Sequence, residues 1–405
     1  MQIKQAIDDF AVEEILISPL ASTGDHTVYR VVKRDVTTFQ VQAHLASELG
    51  VGQSAVAFAA LKDRRANVVQ YLSVPGSMPA AVEGPGYRAT LAGRMDRPLR
   101  PTDLAGNRFS LMIRDLTPQQ AAPLALRLSE LQGSGLPNYF HHQRFGSYHP
   151  EDGFIGAHIL ARDSARAVRA YLAVTFPGDP GSVQRFKQVA QAHWGQWDVL
   201  MDAAPKPSNY RSLLTYLRDH PDDYVRALNL VPRGLLSLWL EAYQSYLWNC
   251  VVARYISGRL AAANSDPAAF IEIAGSSLPL YREAPVLDRV LLTMPHHRAV
   301  YGQGDLADAV QAVLDEKNVN LSDLKARILK SAYLARHSRA VLLFPETVRV
   351  VPPANDERFA GRLKIEVSFM LPPGSYATLV VECAWRTAAN GGLLGLPCHA
   401  QGPIL

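Results

Sequence analysis

Strand-forming segments lie at both ends of this 405-residue chain, and helix-forming segments fill its middle. Apolar or alternating runs typical of strands recur up to about residue 113 and return over residues 340–369. Up to Pro150, strands and helices do not alternate regularly, which argues against a doubly wound sheet. The pattern therefore predicts an α+β domain that is interrupted by a mainly helical insertion.

Helical patterns dominate the middle of the chain. We predict helices over residues 164–174, 182–200, 208–219, 233–258, 305–316 and 321–333. Near the start of the chain, Thr37 or Thr38 is expected to cap a helix that ends at Gly50. At the other end, Gly and Ala are frequent from Arg386 to Leu405, which predicts a poorly ordered tail.

Composition is that of an ordinary globular protein, with 48% hydrophobic and 19% charged residues. A chain of this length is expected to form two or three domains. The net charge of +4 and the pI of about 8.9 suit a polyanionic partner without establishing one. Acidic residues occupy the place of a signal-peptide core, and apolar runs fall short of the roughly 18 residues of a membrane span, so we expect a cytoplasmic protein without membrane contact.

The spacing of the cysteines and histidines is not typical of disulfide frameworks or metal sites. Cys250, Cys383 and Cys398 are far apart, and the adjacent histidines at 141–142 and 296–297 lack a third spaced ligand. We therefore expect no disulfide framework and no metal site. The chain also lacks a glycine-rich phosphate loop.

A charged triplet follows an apolar run in the first part of the chain. The run Ala55 to Leu61 ends at Lys62, Asp63 and Arg64, and a second apolar run follows over residues 68–74. This pattern predicts a strand, a charged loop and a strand. A carboxylate between cations at the end of a buried strand is expected to stay ionised, which makes Asp63 a candidate nucleophile or base. A solvated turn has the same composition, so the pattern alone leaves both interpretations open.

A second polar and aromatic loop occupies residues 135–146, Gly-Leu-Pro-Asn-Tyr-Phe-His-His-Gln-Arg-Phe-Gly. Aromatic faces stack on nucleic-acid bases, and Asn138 or Arg144 could reach base edges or phosphates. The alternative is that Tyr139, Phe140 and the aromatic at 145 are core residues under a loop.

Four motifs in this order resemble those of the TruD family of pseudouridine synthases. They are Asp-Asp-Phe-Ala-Val-Glu-Glu at residues 8–14, Leu-Lys-Asp-Arg-Arg-Ala-Asn-Val-Val-Gln at 61–70, Asn-Tyr-Phe-His-His-Gln-Arg-Phe-Gly at 138–146, and Phe-Met-Leu-Pro-Pro-Gly-Ser-Tyr-Ala-Thr at 369–378. The resemblance extends from about Lys4 to Glu382. It also includes Ser245, Trp248 and Asn249 on one long helix, whose polar residues could otherwise serve helix-to-helix hydrogen bonds.

The resemblance implies a pseudouridine synthase-type catalytic domain with a mixed, largely antiparallel sheet, formed by residues 1–155 and 337–405. A mainly helical TRUD domain, residues 156–336, would be inserted in it to give a V-shaped, two-lobed molecule. The implied activity is isomerisation of a uridine in tRNA, at position 13 of the D arm, to pseudouridine. RNA is the implied partner, no metal or organic cofactor is implied, and we expect a monomer.

Residue roles follow from the same resemblance. Asp63 would be the catalytic carboxylate, acting as nucleophile or as base at the ribose, and Phe140 would contact the everted base. The remaining substrate-binding candidates are Lys4, Lys62, Arg64, Asn138, Gln143 and Arg144. Lys4 and either Lys62 or Arg64 would keep Asp63 ionised and attract phosphates.

Three departures from the family pattern concern the pocket. Ala60 and His141 stand where the family has glycine, and Val68 stands where it has threonine; these changes could alter the choice of substrate. They also leave room for a catalytically silent RNA-binding protein on the same fold. A third hypothesis is a glycosidase-like hydrolase that pairs Asp63 with Glu13 or Glu14.

Overall fold

The computed structural model describes residues 1–283 and 290–388 and divides them into two compact units. The first unit comprises Met1–Leu136 and residues 343–388, and the second comprises Pro137–Leu342 outside 284–289. Each unit is compact by itself. We expected a catalytic domain formed by residues 1–155 and 337–405 and an inserted TRUD domain formed by residues 156–336. These domain assignments stay predictions.

The strands, in chain order, are β1 (Phe10–Leu16), β2 (His26–Arg34), β3 (Ala57–Phe58), β4 (Asn67–Pro75), β5 (Ala81–Gly84), β6 (Tyr87–Met95), β7 (Leu104–Leu116), β8 (Leu136–Pro137), β9 (Tyr148–His149), β10 (Gly153–Phe154), β11 (Ala269–Ile273), β12 (Ser276–Leu280), β13 (Leu291–Thr293), β14 (Ser338–Ala340), β15 (Leu342–Leu343), β16 (Glu346–Val350), β17 (Ala354–Asn355) and β18 (Leu363–Leu371).

The α-helices are α1 (Thr38–Glu48), α2 (Pro118–Ser134), α3 (Ile155–Leu160), α4 (Ser164–Ala173), α5 (Gly181–Ala192), α6 (Trp197–Ala203), α7 (Arg211–Asp219), α8 (Tyr224–Leu228), α9 (Arg233–Ala262), α10 (Asp305–Glu316) and α11 (Ala377–Ala388). None of the helices in the described ranges combines the length and apolar character needed to cross a membrane.

One large mixed sheet organises the first unit. Its strands follow the order β16-β18-β7-β1-β4-β2-β6-β5, with β17 paired to β18 and β3 paired to β4. The pairs along this order are antiparallel except β1 with β4, which run parallel. The expected α+β fold with a mixed, largely antiparallel sheet is thereby confirmed.

The parallel pair determines which loops meet at one edge of the sheet. Ala11 of β1 lies opposite Asn67 of β4, so the segments that lead into both strands lie at the same edge. Because β2 is antiparallel to β4, its last residue, Arg34, also lies opposite Asn67. The chain before β1, the end of β2 and the loop before β4 therefore converge although they are well separated in sequence.

Helices cover the sheet of the first unit. Val41 and Leu45 of α1 join Tyr29, Val31 and other buried residues of the sheet in one apolar cluster. Thr37 caps α1 by accepting from the Gln40 backbone N–H, and the Gln40 side chain in turn accepts from the Thr37 N–H. This capping box confirms Thr37, one of the two alternatives predicted for the N-cap of this helix. Elsewhere in the unit, α2 packs against α11, β16 and β18.

The second unit is mainly helical and is centred on α9. This helix contacts α3, α10 and β12, and it is buried on most sides, as a central helix must be. The hairpin of β11 and β12 was not predicted. Its turn residues, Ala274 and Gly275, both have positive φ, which suits a tight two-residue hairpin turn, although alanine at such a position is unusual.

Two predicted helices differ from the structure. The segment 182–200 forms α5 and α6, with a break that includes Gly195 at a φ of +88°. Residues 321–333 form only a 3-10 turn at Leu321–Asp323. The Asn229 side chain binds the carbonyl of Ile328 and the N–H of Lys330, so these backbone groups are satisfied outside a helix. The strand predicted over 55–61 is shortened to β3.

The end of the chain also differs in part. Arg386 belongs to α11, which continues to Ala388. The rest of the tail that we predicted to be poorly ordered, residues 389–405, lies outside the described residues.

A buried cluster of charges ties distant parts of the first unit together. Arg114 of β7 lies 2.8 Å from Asp9 and 2.8 Å from Asp356, and all three side chains are buried. Glu357 adds a third carboxylate at 2.9 Å. Removing one member of a buried ion pair leaves the partner charge without compensation, which costs several kcal/mol.

Replacing Arg114 by methionine should therefore lower the free energy of unfolding by about 3 to 5 kcal/mol, as measured by denaturant titration followed by circular dichroism. Arg88→Met removes an exposed ion pair with Glu83 in the same sheet and should cost less than about 1 kcal/mol. Equal losses in the two variants would contradict a structural role for the cluster.

Candidate active site

Asp63 lies in the loop before β4 and forms an ion pair with Lys4. The Nζ atom of Lys4 is 2.7 Å from Oδ2 of Asp63, and the carboxylate side chain is 19% exposed. Lys4 has a φ of +57°, and its ammonium also lies 3.9 Å from the centroid of the Phe10 ring. The aromatic face and the carboxylate thus hold one cation between them, which orients Asp63 without covering it fully.

A second lysine holds the backbone of the same loop. Lys33, near the end of β2, is 1% exposed, and its Nζ donates to the carbonyls of Asp63 and Val36, each at 2.8 Å. Burial lowers the pKa of Lys33 to about 8, although the Asp63 carboxylate opposes the shift. Lys33 therefore fixes the position of the loop that carries Asp63.

Lys33 was missed by sequence analysis, although a signal was present. Lys33 follows Tyr29 and Val31 at intervals of two residues along β2, and all three side chains are buried. Side chains two residues apart in a strand lie on the same face. A lysine on the buried face of a strand needs acceptors, and here it finds them in backbone carbonyls.

Lys62 belongs to a different, buried group. Its Nζ is 2.9 Å from Glu14 and donates to Oδ1 of Asn107 at 2.8 Å, and Glu14 lies opposite Asn107 in the register of β1 and β7. Glu14 also accepts the N–H of Tyr71 at 2.8 Å. Burial raises the pKa of the Glu14 carboxyl, although Lys62 opposes the shift. This group joins three strands beside the Asp63 loop.

The structure thus separates the three cations that were expected around Asp63. Lys4 forms the ion pair, Lys62 is paired with Glu14, and Arg64 is paired with Asp35 at 3.2 Å on the surface. The ion-pair contacts of Lys62 and Arg64 do not support the expectation that either one keeps Asp63 ionised. Their predicted roles in substrate binding stay predictions.

In the second unit, helix α9 holds the Asn-Tyr-Phe segment by its backbone. Oδ1 of Asn249 accepts the N–H of Phe140, and Nδ2 of Asn249 donates to the Phe140 carbonyl, both at 2.8 Å. The Phe140 ring is edge-on to Trp248 at 5.5 Å. Phe140 is only 6% exposed. Asn249 thus serves a loop instead of the helix-to-helix contact that its spacing suggested.

Arg339 of β14 faces the same ring. Its guanidinium lies 4.2 Å from the centroid of Phe140, and it donates to the carbonyl of Asn138 at 3.0 Å and to Oδ1 of Asn138 at 2.6 Å. Asn138 in turn donates to the carbonyl of Ala340 at 2.9 Å. The amide expected to reach a base is therefore bound within the unit. No spacing in the sequence connects Arg339 with Asn138, because the two belong to distant parts of the chain.

The remaining candidates of this loop differ in exposure. Arg144 lies 2.7 Å from Glu241 and donates to Oγ of Ser245 at 3.2 Å, and its guanidinium is 5.7 Å from the Phe140 ring centroid. Gln143 is exposed, and His141 is buried. The structure thus brings Asn138, Phe140 and Arg144 together with Arg339.

Known proteins resemble this chain along most of its length. The sequence profile of the family described as tRNA pseudouridine synthase D (TruD) matches residues 1–382. The probable tRNA pseudouridine synthase D of Methanosarcina barkeri is 28% identical, with 94% of this chain and 92% of that protein covered. The corresponding protein of Methanopyrus kandleri is 29% identical, with 89% and 85% covered.

The fold also matches a solved structure. A Methanosarcina mazei protein, proposed to be a tRNA pseudouridine synthase D, has a crystal structure that superposes with a TM-score of 0.69 over 96% of this chain and 94% of that one, at 23% identity. At this identity the match shows the fold, and the profile match shows the family. Because that profile spans 382 of the 405 residues, the chain belongs to the tRNA pseudouridine synthase D family and is an isomerase.

Proposed function

We propose that this enzyme converts the uridine at position 13, in the D arm of tRNA, to pseudouridine, with Asp63 as the catalytic carboxylate. The observation that carries the proposal is the setting of Asp63, whose side chain is paired with Lys4 while its backbone is bound by Lys33. A residue held through both its side chain and its backbone keeps its carboxylate in one direction when a ribose approaches. The position in tRNA rests on the family resemblance of the motifs around Asp63 and Phe140.

The conversion of uridine to pseudouridine requires few protein groups. The isomerisation breaks the bond between the ribose and N1 of uracil and joins the ribose to C5, so the product has the same atoms as the substrate. Asp63 acts at the ribose, as nucleophile or as general base. Lys4 stabilises the charged form of the carboxylate, and Lys33 keeps the loop at a fixed distance from the sheet.

We further propose that Phe140 provides the aromatic contact for the everted base. Unstacking a base costs a few kcal/mol, and an aromatic contact returns part of that free energy. Arg339 already covers the ring, so an incoming base must share the ring with the guanidinium or displace it. Arginine planes also stack on bases, which lets Arg339 join the contact.

The two rival hypotheses are less consistent with these contacts. A glycosidase of the usual kind needs two carboxylates at a set separation. Glu13 is paired with Arg30 and Arg108, and Glu14 is buried against Lys62. A catalytically silent RNA-binding protein would need no oriented carboxylate. A turnover assay is the measurement that distinguishes this hypothesis from the enzyme.

Asp63→Asn should lower the rate of pseudouridine formation in a tRNA transcript by at least about 100-fold, because the amide cannot act as nucleophile or base. The dissociation constant for tRNA should change little. The assay is tritium release from [5-³H]uridine-labelled transcript, with binding followed by fluorescence anisotropy.

Asp35→Asn is the matched control, since it removes a surface carboxylate that is paired with Arg64, and it should keep full activity. A transcript with cytidine at position 13 should give no release. Wild-type turnover by Asp63→Asn would refute the catalytic assignment, and continued release from the position-13 variant would refute the target site.

The maximal rate should also fall as the pH rises past about 8. Below its pKa, Lys33 is an ammonium that donates to the Asp63 and Val36 carbonyls; above it, the neutral amine has fewer donors and no charge. Lys33→Met should lower kcat about 10- to 100-fold through a misplaced loop, and its remaining activity should lack this alkaline decline.

The comparison is made from kcat at saturating tRNA between pH 6 and 9.5, with circular dichroism at each pH to confirm folding. If the methionine variant shows the same alkaline decline with the same midpoint, the decline belongs to another group, and the proposed role of Lys33 fails.

Phe140→Leu removes the aromatic face and keeps an apolar side chain of similar size. It should lower kcat/KM by roughly 10- to 100-fold, the effect of losing a base–aromatic stack worth about 1 to 3 kcal/mol. Phe140→Tyr should stay within a few-fold of wild type. Thermal unfolding of both variants controls for packing against Trp248, and a leucine variant with wild-type kcat/KM would exclude stacking.

A further inference from the structure

Five basic residues of the second unit form a group that we call the 296–336 cluster. Its members are His296, His297, Arg298, Lys325 and Arg336. The side chains of Arg298, Lys325 and Arg336 are exposed. Over residues 1–283 and 290–388, none of these three cations forms a salt bridge with a carboxylate.

The fold brings the members together from three separate segments. Strand β13 pairs with β14, with Thr293 opposite Ser338, and the N–H of Met294 donates to the carbonyl of His337 at 3.0 Å. The chain that leaves β13 therefore runs beside the chain that enters β14. His297 adds the third segment through a hydrogen bond to the backbone of Leu324.

The members of the cluster repel one another. Burial lowers the pKa of His296, and Arg336, His297 and Arg298 lower it further. Burial also lowers the pKa of His297, and Arg336, Arg298 and Lys325 add to that shift against the Leu324 hydrogen bond. Like charges held close together cost free energy unless an anion joins them.

One member of the cluster, Arg336, lies just before β14, the strand that carries Arg339. Arg336 lies shortly before Arg339, whose guanidinium faces the Phe140 ring. Phosphates accept several charge-assisted hydrogen bonds at once, and arginine matches them in a two-pronged geometry. An anion bound by Arg336 would therefore lie beside the segment that leads to Arg339 and its contact with Phe140.

We propose that the 296–336 cluster binds backbone phosphates of the RNA substrate, next to the nucleotide whose base meets Phe140. The identity of the polyanion rests on the proposed function. The cluster would bind the RNA backbone whatever its sequence, because phosphate contacts position a nucleic acid without reading its bases.

The test is the salt dependence of tRNA binding, measured by fluorescence anisotropy in KCl from about 50 to 300 mM. Arg336→Ala and Arg298→Ala should each lower the slope of log K against log [KCl] by about 1, since one cation then releases fewer counterions. Arg336→Lys should keep the slope. In turnover assays the alanine variants should raise KM several-fold and leave kcat unchanged.

Arg218→Ala is the matched control, because it removes the same charge from an arginine of this unit that is paired with Asp219 at 3.1 Å. If both cluster variants fold and show the slope and KM of Arg218→Ala, the phosphate-binding proposal is wrong while the proposed function stands. If wild-type enzyme forms no pseudouridine, the proposed function fails, and the salt slopes still decide whether the cluster contacts RNA.

Discussion

The parallel pairing of β1 with β4 is the constraint on which the arrangement around Asp63 depends. Antiparallel neighbours would send the segments before β1 and β4 to opposite edges of the sheet. Parallel pairing places Lys4 and Asp63 at one edge, and antiparallel β2 delivers Lys33 to the same edge. Two ammonium groups from distant parts of the chain can then bind one short loop.

Buried charge is the second feature of this edge. Lys33 is satisfied by backbone carbonyls, and Lys62 by Glu14 and Asn107. Burying an ion costs several kcal/mol unless its partners are well placed, so each of these groups requires a specific local geometry. The same requirement restrains the loop that carries Asp63, because moving it would break the Lys33 contacts and leave the buried Lys33 ammonium without acceptors.

Periodicity and motifs predicted much of this protein. The strands β2, β4 and β18 and the helices α1 and α10 follow directly from alternation, from the helical spacing of apolar residues and from the Thr37 cap. One failure came where a side chain from elsewhere satisfies the backbone. Asn229 binds the backbone at 328 and 330, so a segment with helical composition stays irregular.

The site was predicted less completely than the fold. The sequence suggested that Lys4 and either Lys62 or Arg64 keep Asp63 ionised, but Lys62 is paired with the buried Glu14, and Asp63 is paired with Lys4. Arg339 could not be connected with Phe140 because a contact between such distant segments depends on tertiary packing and not on spacing.

A crystal structure of the Asp63→Asn variant with bound tRNA would show whether residue 63 reaches the reacting ribose. We expect an everted uridine whose ribose lies within about 3.5 Å of the side chain at position 63. An everted uridine bound well away from that side chain, or a tRNA held with its target base still stacked in the helix, would contradict this expectation.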